Sequence, residues 1–277
     1  MSGIDESKTQ WPLIFSHIQV PAPRVEFHLH DGYEIYFIIS GDVNYFVEKK
    51  IYPLQYGDLI FTNNREIHKP SFQSDKLYER ICLEFHPSIL RPFIPPDFDL
   101  LGCFTNRTNG EQNKLTLTAR QREEVMGLFT RIERLTADER QGSDLLRLGC
   151  VIELLVLINR LFLNIAPETE RTNIPDKLVP VLDYIETHLD GDLSLEILEK
   201  TFYVNRFHLS KLFKQSIGSN IHNYILIKRL AAAKQWLAEG ASVSQACIRS
   251  GFNDYSNFLK QFKRTVGVSP GSYRRQG

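Results

Sequence analysis

The sequence predicts an α+β protein: an N-terminal antiparallel β-barrel with accompanying helices, then an all-α C-terminal domain with two helix-turn-helix motifs. Three observations predict this class. Short aromatic and β-branched runs fill the first part of the chain, a polar segment with two prolines follows two helical stretches, and the last part repeats itself. We expect the barrel domain at 1–165, a linker at 166–176 and the helical domain at 177–277.

Composition sets the broad class. The chain has 277 residues, of which 42% are hydrophobic and 24% charged, which is typical of a globular protein with room for two domains. Apolar runs reach only about five residues, and the N-terminus lacks the pattern of a secretory signal. We therefore expect a cytoplasmic protein without membrane contact. The widely spaced Cys82, Cys103, Cys150 and Cys247 predict buried thiols.

Residues from about 24 to 85 predict short antiparallel strands. Runs rich in Tyr, Phe, Ile and Val, such as YEIYFIIS and YERICLEF, are broken by Gly, Asp, Asn and Pro at intervals of roughly ten residues. This spacing is typical of an antiparallel sandwich or a small barrel.

Two helical stretches follow, at about 119–135 and 143–165. In the second, Glu153, Arg160 and Asn164 fall on one narrow stripe, while most of the remaining circumference is apolar. Such a helix needs cover on more than one side, so we expect one side to pack on the barrel. The other side is either a dimer interface or buried within the chain, and periodicity alone fits both.

Charge is segregated along the chain although the net charge is zero. Residues 201–277 contain twelve Lys and Arg but only two acidic residues, Glu239 and Asp254, whereas the first 200 residues carry an excess of ten acidic ones. A basic C-terminal part indicates a polyanionic partner such as nucleic acid, or else a solvated basic surface.

An internal repeat appears when the C-terminal part is shifted by 49 residues. Each copy predicts a helix, a short turn, and a second helix that starts at an Asn or Asp N-cap and ends at a glycine. This order is the helix-turn-helix unit. The superposed pairs are Asn205 with Asp254, Phe213 with Phe262, Lys214 with Lys263, Gly218 with Gly267, Tyr224 with Tyr273, and Tyr203 with Phe252.

The second helix of each copy predicts a face for DNA. A helical wheel turns apolar residues toward a core and leaves polar, basic and some aromatic side chains on the opposite face. Such side chains read base edges and thymine methyl groups in the major groove. Singly, each is explained as well by solvation, and only the pattern in both copies favours DNA. The outward residues are Phe207, Ser210, Lys211 and Lys214 in the first copy, and Ser256, Asn257, Lys260 and Arg264 in the second.

A helix-forming run at 221–239 joins the two copies. At 1.5 Å per residue it spans roughly 28 Å, and neighbouring major grooves of B-DNA lie about 34 Å apart. One chain can therefore contact two adjacent grooves. Phosphate contacts are expected from Lys228, Arg229, Lys234, Lys263, Arg274 and Arg275.

The C-terminal part resembles a known family. The runs LSLEILEKTFYVNRFHLSKLFKQSIGSNIHNYI and GFNDYSNFLKQFKRTVGVSPGSYRR are similar to the paired helix-turn-helix domain of the AraC/XylS bacterial transcription regulators, over about residues 175–277. The resemblance implies base contacts from the faces named above and adds Tyr255. It also implies binding to double-stranded operator or promoter DNA, contact with RNA polymerase, and activation more often than repression.

Two positions depart from the family pattern. Glu199 stands where these proteins usually have a small Ala between helices, and Cys247 holds the equivalent place in the second copy. The cysteine is small enough to fit. The glutamate leaves the seating of the first recognition helix open.

The N-terminal part resembles the cupin barrel through a partial match to its two metal motifs. In metal-binding cupins these motifs supply three histidines and one glutamate to a divalent ion. Here the first three motif residues share strand parity and point to one face. The matching residues are His28, His30, Glu34 and Gly41 in the first motif, and Gly57 and His68 in the second.

Two roles remain open for these residues. Asn63 and Arg65 replace the Pro and Gly expected in the second motif, so the match to the metal motifs is partial. We therefore do not expect the protein to require a cofactor. If a divalent metal does bind, His28, His30, Glu34 and His68 suit Fe, Mn, Ni or Zn better than Ca. If the barrel instead binds a small molecule, the candidate contacts are Arg24, His30, Glu34, Tyr36 and His68.

The leading hypothesis is a homodimeric transcription regulator whose cupin-like or jelly-roll-like domain binds a small effector, such as a sugar or another metabolite. We expect no enzymatic activity. The alternative is a metal-dependent cupin enzyme, or a metal sensor, fused to a DNA-binding domain. A helical interaction module without DNA binding explains the repeat and the basic charge poorly.

Overall fold

The computed structural model describes residues 13–23, 25–164 and 174–276. Within these ranges the chain forms eight β-strands and three α-helices, followed by seven further α-helices. Arg24 and residues 165–173, which include most of the linker expected at 166–176, lie outside the described part of the chain.

Two antiparallel sheets form the N-terminal domain. The strands are β1 (Leu13–Pro21), β2 (Tyr33–Ser40), β3 (Val43–Val47), β4 (Lys50–Pro53), β5 (Asp58–Thr62), β6 (His68–Phe72), β7 (Leu77–Phe85) and β8 (Lys114–Thr116). The larger sheet has the order β1-β7-β2-β5-β8, and the smaller sheet has the order β4-β3-β6. Because the described strands leave the two sheets unjoined, the domain is an open two-sheet sandwich, and the expected barrel is not closed.

Three helices cover the outer face of the larger sheet. They are α1 (Gly102–Thr105), α2 (Ala119–Thr136) and α3 (Ser143–Phe162), and the last two confirm the predicted helical stretches. Thr118 and Gln121 form a capping box that starts α2. Phe37 and Phe61 of the sheet are fully buried together with Phe129 of α2. Strand β2 is therefore buried on both faces, which explains its nearly continuous apolar sequence.

Seven helices form the C-terminal domain. They are α4 (Val179–Thr187), α5 (Leu195–Phe202), α6 (Arg206–Ile217), α7 (Ile221–Ala238), α8 (Val243–Arg249), α9 (Tyr255–Val266) and α10 (Pro270–Gln276). The predicted caps are confirmed. Asn205 and Asp254 accept backbone N–H hydrogen bonds at the starts of α6 and α9, and Gly218 and Gly267 end these helices with positive φ.

One pair in the expected repeat is wrong. The N-caps of the first helices, Ser194 and Ser242, are 48 positions apart, whereas those of the second helices are 49 apart, so the second turn is one residue longer. Tyr203, with φ of 53°, therefore corresponds to Gly251, with φ of 83°, and not to the buried Phe252. A tyrosine 95% exposed occupies the left-handed position of this turn.

The helical domain packs on the outer face of the smaller sheet. Phe27 and Ile67 of the sandwich belong to the same buried cluster as Phe213 and Tyr224 of the helices. The rings of Phe27 and Tyr224 meet edge to face, with centroids 5.7 Å apart. The layers thus follow one another as helices, larger sheet, smaller sheet and C-terminal helices.

The thiols and the helices bear on two further expectations. Cys103, Cys150 and Cys247 are buried as predicted, but Cys82 is half-buried, and all four thiols are free. No helix in the described ranges combines the length and apolarity that crossing a membrane requires.

Candidate ligand site and nucleic-acid interface

Four predicted residues meet in the sandwich and form what we call the histidine cluster: His28, His30, Glu34 and His68. Glu34 lies on β2 and His68 begins β6, while the segment 26–31 is tied to β6 by a 2.8 Å hydrogen bond from His28 N to His68 O. The imidazole centroid of His68 lies 5.1 Å from that of His30 and 5.6 Å from that of His28. The cupin-like spacing therefore does bring these side chains together.

Glu34 is a buried carboxylate at the centre of the cluster. Its Oε1 accepts a 2.8 Å hydrogen bond from the Tyr45 hydroxyl, and its Oε2 lies 3.4 Å from His30 Nε2 and 3.7 Å from His68 Nε2. Burial opposes ionisation of Glu34, but the two histidines outweigh it and hold the pKa of this carboxyl well below its usual range. Glu34 is therefore negatively charged at neutral pH.

The hydrogen bonds of the imidazoles fix which nitrogen faces Glu34. His30 Nδ1 donates to Gly32 O at 3.0 Å, and His68 Nδ1 donates to Glu66 O at 2.9 Å, because a carbonyl oxygen can only accept. In the neutral rings each Nε2 then carries a lone pair directed at a carboxylate. Both Nε2 atoms are buried without a hydrogen-bond partner. A lone pair that faces a carboxylate is repelled by it, so each Nε2 is stabilised by a proton or a cation. Burial opposes a charge on His30, but Glu34 outweighs it and raises the pKa of His30.

The donor atoms also have a spacing suited to a metal ion. One ligand atom each from His28, Glu34 and His68 lie within 4.8 Å of one another. Two imidazole nitrogens with a carboxylate are a donor set for Zn²⁺, Fe²⁺ or Ni²⁺. The residues present therefore fit a divalent transition-metal ion.

The remaining predicted ligand contacts lie differently. Tyr36 faces the space between the sheets, but its hydroxyl is already paired with the Tyr78 hydroxyl at 2.6 Å. Burial raises the pKa of Tyr36 well above its usual value, so this phenol stays neutral. Arg24 lies outside the described residues.

A buried ion pair that no sequence pattern predicted supports this end of the sandwich. Arg107 contacts Glu66 through both terminal nitrogens, at 2.5 and 2.7 Å, and both side chains are fully buried. The backbone oxygen of Glu66 is the acceptor for His68, so this pair also supports the cluster. The partners are 41 residues apart and follow no periodic pattern.

The faces predicted for DNA are largely exposed. On α6, Phe207 is 74% exposed, Lys211 and Lys214 are exposed, and Ser210 is half-buried. On α9 the opposite side packs through the fully buried Phe258 and Phe262. The outward residues of α9, all exposed, are Tyr255, Ser256, Asn257, Lys260 and Arg264.

Two family profiles match this arrangement. An AraC-like ligand binding domain matches residues 12–155, which is more than half of the chain, and a helix-turn-helix domain matches residues 198–276. The chain belongs to the AraC-type transcriptional regulators.

Individual relatives of this AraC-type chain cover it to different extents. It is 25% identical over 245 residues to an uncharacterized HTH-type transcriptional regulator of Staphylococcus aureus strain COL, covering 86% of this chain and 31% of that protein. It is 32% identical over 179 residues to the probable transcriptional regulator LumQ of Photobacterium leiognathi, covering 63% of this chain and 68% of LumQ. The chain thus spans about a third of the length of the staphylococcal relative.

The DNA-binding domain of AdpA, solved in complex with a target DNA, is 26% identical and covers 37% of this chain and 93% of its own, with a TM-score of 0.35.

The structure explains why a glutamate, Glu199, is accommodated where AraC-type proteins usually have alanine. Glu199 Oε1 accepts a 3.2 Å hydrogen bond from the backbone N–H of Arg206, the first residue of α6. The first N–H groups of a helix have no partner within the helix. The glutamate therefore helps to hold the start of the recognition helix, where alanine offers no acceptor.

Three of the expected phosphate contacts are occupied elsewhere. Lys228 pairs with Glu48 at 2.5 Å and Glu186 at 2.8 Å, while Lys234 lies 2.7 Å from Asp31. Arg229 donates to backbone oxygens of the loop after α4. In this conformation these bases serve contacts within the protein.

Proposed function

We propose that this protein is a sequence-specific transcription regulator that binds double-stranded promoter DNA through two helix-turn-helix units, α5–α6 and α8–α9, and responds to a small effector in its sandwich. The observation that carries the proposal is the outward face of α9, which combines exposed Asn257 and Lys260 with a buried aromatic face. Asn and Lys are residue types that read adenine and guanine edges. The family membership of the chain supports the same conclusion.

Lys260→Ala tests this reading of α9. We expect operator affinity to fall by about 1–3 kcal/mol, with relaxed preference at one or two base pairs, as for a lost base contact. Lys177→Ala is the control, since Lys177 is exposed but lies outside both helix pairs. Fluorescence anisotropy on a panel of single-base operator variants measures both effects. Unchanged affinity and preference for Lys260→Ala would contradict the proposal.

We further propose a cytoplasmic homodimer that contacts RNA polymerase and acts as an activator. Leu145 and Leu146 on α3 are 67% and 62% exposed, and large exposed aliphatic side chains on neighbouring positions favour an interface. The double variant Leu145→Glu with Leu146→Glu tests this interface by placing two charges on it. Sedimentation equilibrium should then show a monomer where the wild type is a dimer, and a wild-type monomer would exclude the dimer.

A metal sensor is the second candidate function. It is favoured by the two buried Nε2 atoms without partners that face the ionised Glu34. His28, Glu34 and His68, with His30 beside them, would hold a divalent ion, which would place positive charge next to Glu34 and draw the two sheets' side chains together. The sandwich would then respond to metal supply.

Titration calorimetry of the full-length protein with Zn²⁺ tests this second candidate. We expect one ion per chain for the wild type and for His222→Ala, which changes an exposed histidine of α7. Glu34→Gln should lose the binding because a neutral amide is a poorer metal ligand. Zn²⁺ binding that survives Glu34→Gln would place the ion elsewhere.

A further inference from the structure

Two segments of the sandwich carry the histidine cluster on one face and contacts to the helical domain on the other. His28 and His30 lie on the segment 26–31, and His68 begins β6. Because successive side chains of an extended segment point to opposite faces, the residues that alternate with these histidines face the helices. These alternating residues are Phe27, Leu29, Asp31, Ile67 and Lys69.

Lys69 directly follows His68 and contacts the end of the first recognition helix. Its Nζ donates to the carbonyl oxygen of Gly218 at 2.7 Å, and the residue is only 2% exposed. Gly218 is the C-cap of α6, where unpaired carbonyl oxygens and the helix dipole attract a cation. The approach is tight, since a Cβ atom at Gly218 would lie 2.8 Å from Ser71 Oγ. A sandwich lysine thus fixes the position of α6.

Asp31 directly follows His30 and contacts helix α7. Its Oδ1 lies 2.7 Å from Nζ of Lys234, which also donates to the backbone oxygen of His30 at 2.9 Å. Lys234 is 4% exposed and the Asp31 side chain is 31% exposed, so solvent reaches this ion pair only from the Asp31 side. Each of the two histidines whose Nε2 faces Glu34, His30 and His68, is therefore followed in sequence by a charged residue that contacts the helical domain.

We propose that Asp31 and Lys69 form an interdomain latch that couples the histidine cluster to DNA binding, and that the closed latch lowers the affinity for DNA. The coupling runs through the backbone. The rings of His30 and His68 are each tied through Nδ1 to a backbone oxygen two residues away, so a ring that shifts pulls on the backbone from which the adjacent latch residue projects. The latch rests on the proposed function and names how the cluster regulates it.

The sign of the effect follows from charge. Residues 1–165 contain 22 acidic and 18 basic side chains, and the closed latch holds this acidic sandwich against residues 201–277, which contain 12 basic and 2 acidic side chains. It also keeps Lys234 paired with a carboxylate. DNA phosphates and the carboxylates of the sandwich are both attracted to the basic side chains of the helical domain. Opening the latch moves the carboxylates away, so the attraction of this domain to DNA becomes stronger.

Binding of full-length variants to DNA tests the latch. The probe is a labelled duplex carrying the sequence that the wild-type protein or a latch variant recovers from a random pool. Lys69→Met removes the charge and keeps the length of the side chain. Asp31→Asn removes the charge and keeps the shape of the side chain. Because Asp31 is more exposed than Lys69, we expect at least Asp31→Asn to fold like the wild type. We expect both to bind about 5-fold more tightly or better than wild type, a usual size for coupling between sites.

Lys49→Met is the matched control. Lys49 pairs across the same domain interface with Asp183 and Glu186, both at 2.9 Å, but it is 41% exposed and adjoins no cluster histidine. The affinity of the Lys49→Met protein for DNA should equal that of the wild type. Equal affinity of wild type and both folded latch variants would refute the latch while leaving the proposed function intact. Failure of wild type and both latch variants to select any sequence would instead refute the proposed function.

A double-mutant cycle separates coupling from a merely structural contact. Tyr45→Phe removes the hydrogen bond to Glu34 without touching the helical domain. If the cluster acts through the latch, the effect of Tyr45→Phe on DNA affinity disappears in the Asp31→Asn background. If the two effects on the dissociation constant simply multiply, the cluster and the latch are independent and the proposal is wrong.

Discussion

Arg107→Met should strongly destabilise the sandwich, because it leaves a carboxylate buried without its charge partner. Glu66 accepts two hydrogen bonds from Arg107, at 2.5 and 2.7 Å, and three more from Gly110 N, Asn113 Nδ2 and Asn63 N. Removing one partner of a buried ion pair typically costs about 3–5 kcal/mol. A domain is stable by only about 5–15 kcal/mol, so a large share of its stability is at stake.

Urea unfolding followed by circular dichroism measures this loss in the full-length protein. Arg131→Met is the control, since the Arg131–Glu153 pair is more than half exposed and solvent screens it. The double variant Glu66→Gln with Arg107→Met should lose less than the two single losses combined, because neither charge is then left alone. A loss for Arg107→Met no greater than for Arg131→Met would refute this reasoning.

Three further outcomes are expected. Burial raises the pKa of Glu66, but Arg107 and the other hydrogen-bond donors outweigh it and lower that pKa. The stability advantage of wild type over Glu66→Gln should therefore be full above the ordinary pKa of 4.5 and shrink as the pH falls through the lowered value. An advantage that grows on acidification would contradict this. Glu199→Ala should weaken base preference at the half-site read by α6, whereas Glu199→Gln, which keeps an acceptor for Arg206 N, should preserve it; selection from random duplexes compares them. Tyr203→Gly should raise the free energy of unfolding by up to about 1 kcal/mol in urea, because only glycine adopts this turn without strain, and a decrease would reveal a stabilising contact of the tyrosine.

Local signals were sufficient for the helical domain. Asn205 and Gly218 mark the limits of α6 because capping depends on residue types a few positions apart, and the structure confirms both. The wheel of α9 likewise separated the buried Phe258 and Phe262 from the outward polar residues. The superposition of Tyr203 on Phe252 failed because a single shift cannot represent a turn that is one residue longer in the second copy.

Contacts between residues far apart in the chain could not be predicted from the sequence. Strand β1 was not expected, since its half-buried pattern depends on pairing with β7, some 60 residues away. The contacts of Lys69 with Gly218 and of Lys234 with Asp31 join partners across the two domains. Charge segregation indicated a polyanionic partner for the basic part, and it did not indicate these contacts within the chain. Which acidic and basic residues meet follows from how the smaller sheet packs against α7.

Selection of bound sequences from a random duplex pool by the full-length protein, at near-physiological salt, tests the central claim most directly. The two helix-turn-helix units predict a recovered motif with two blocks about 10 base pairs apart, one for each recognition helix in adjacent major grooves. Binding that falls steeply with salt but recovers no motif, for wild type and for the latch variants alike, would contradict sequence-specific recognition by this chain.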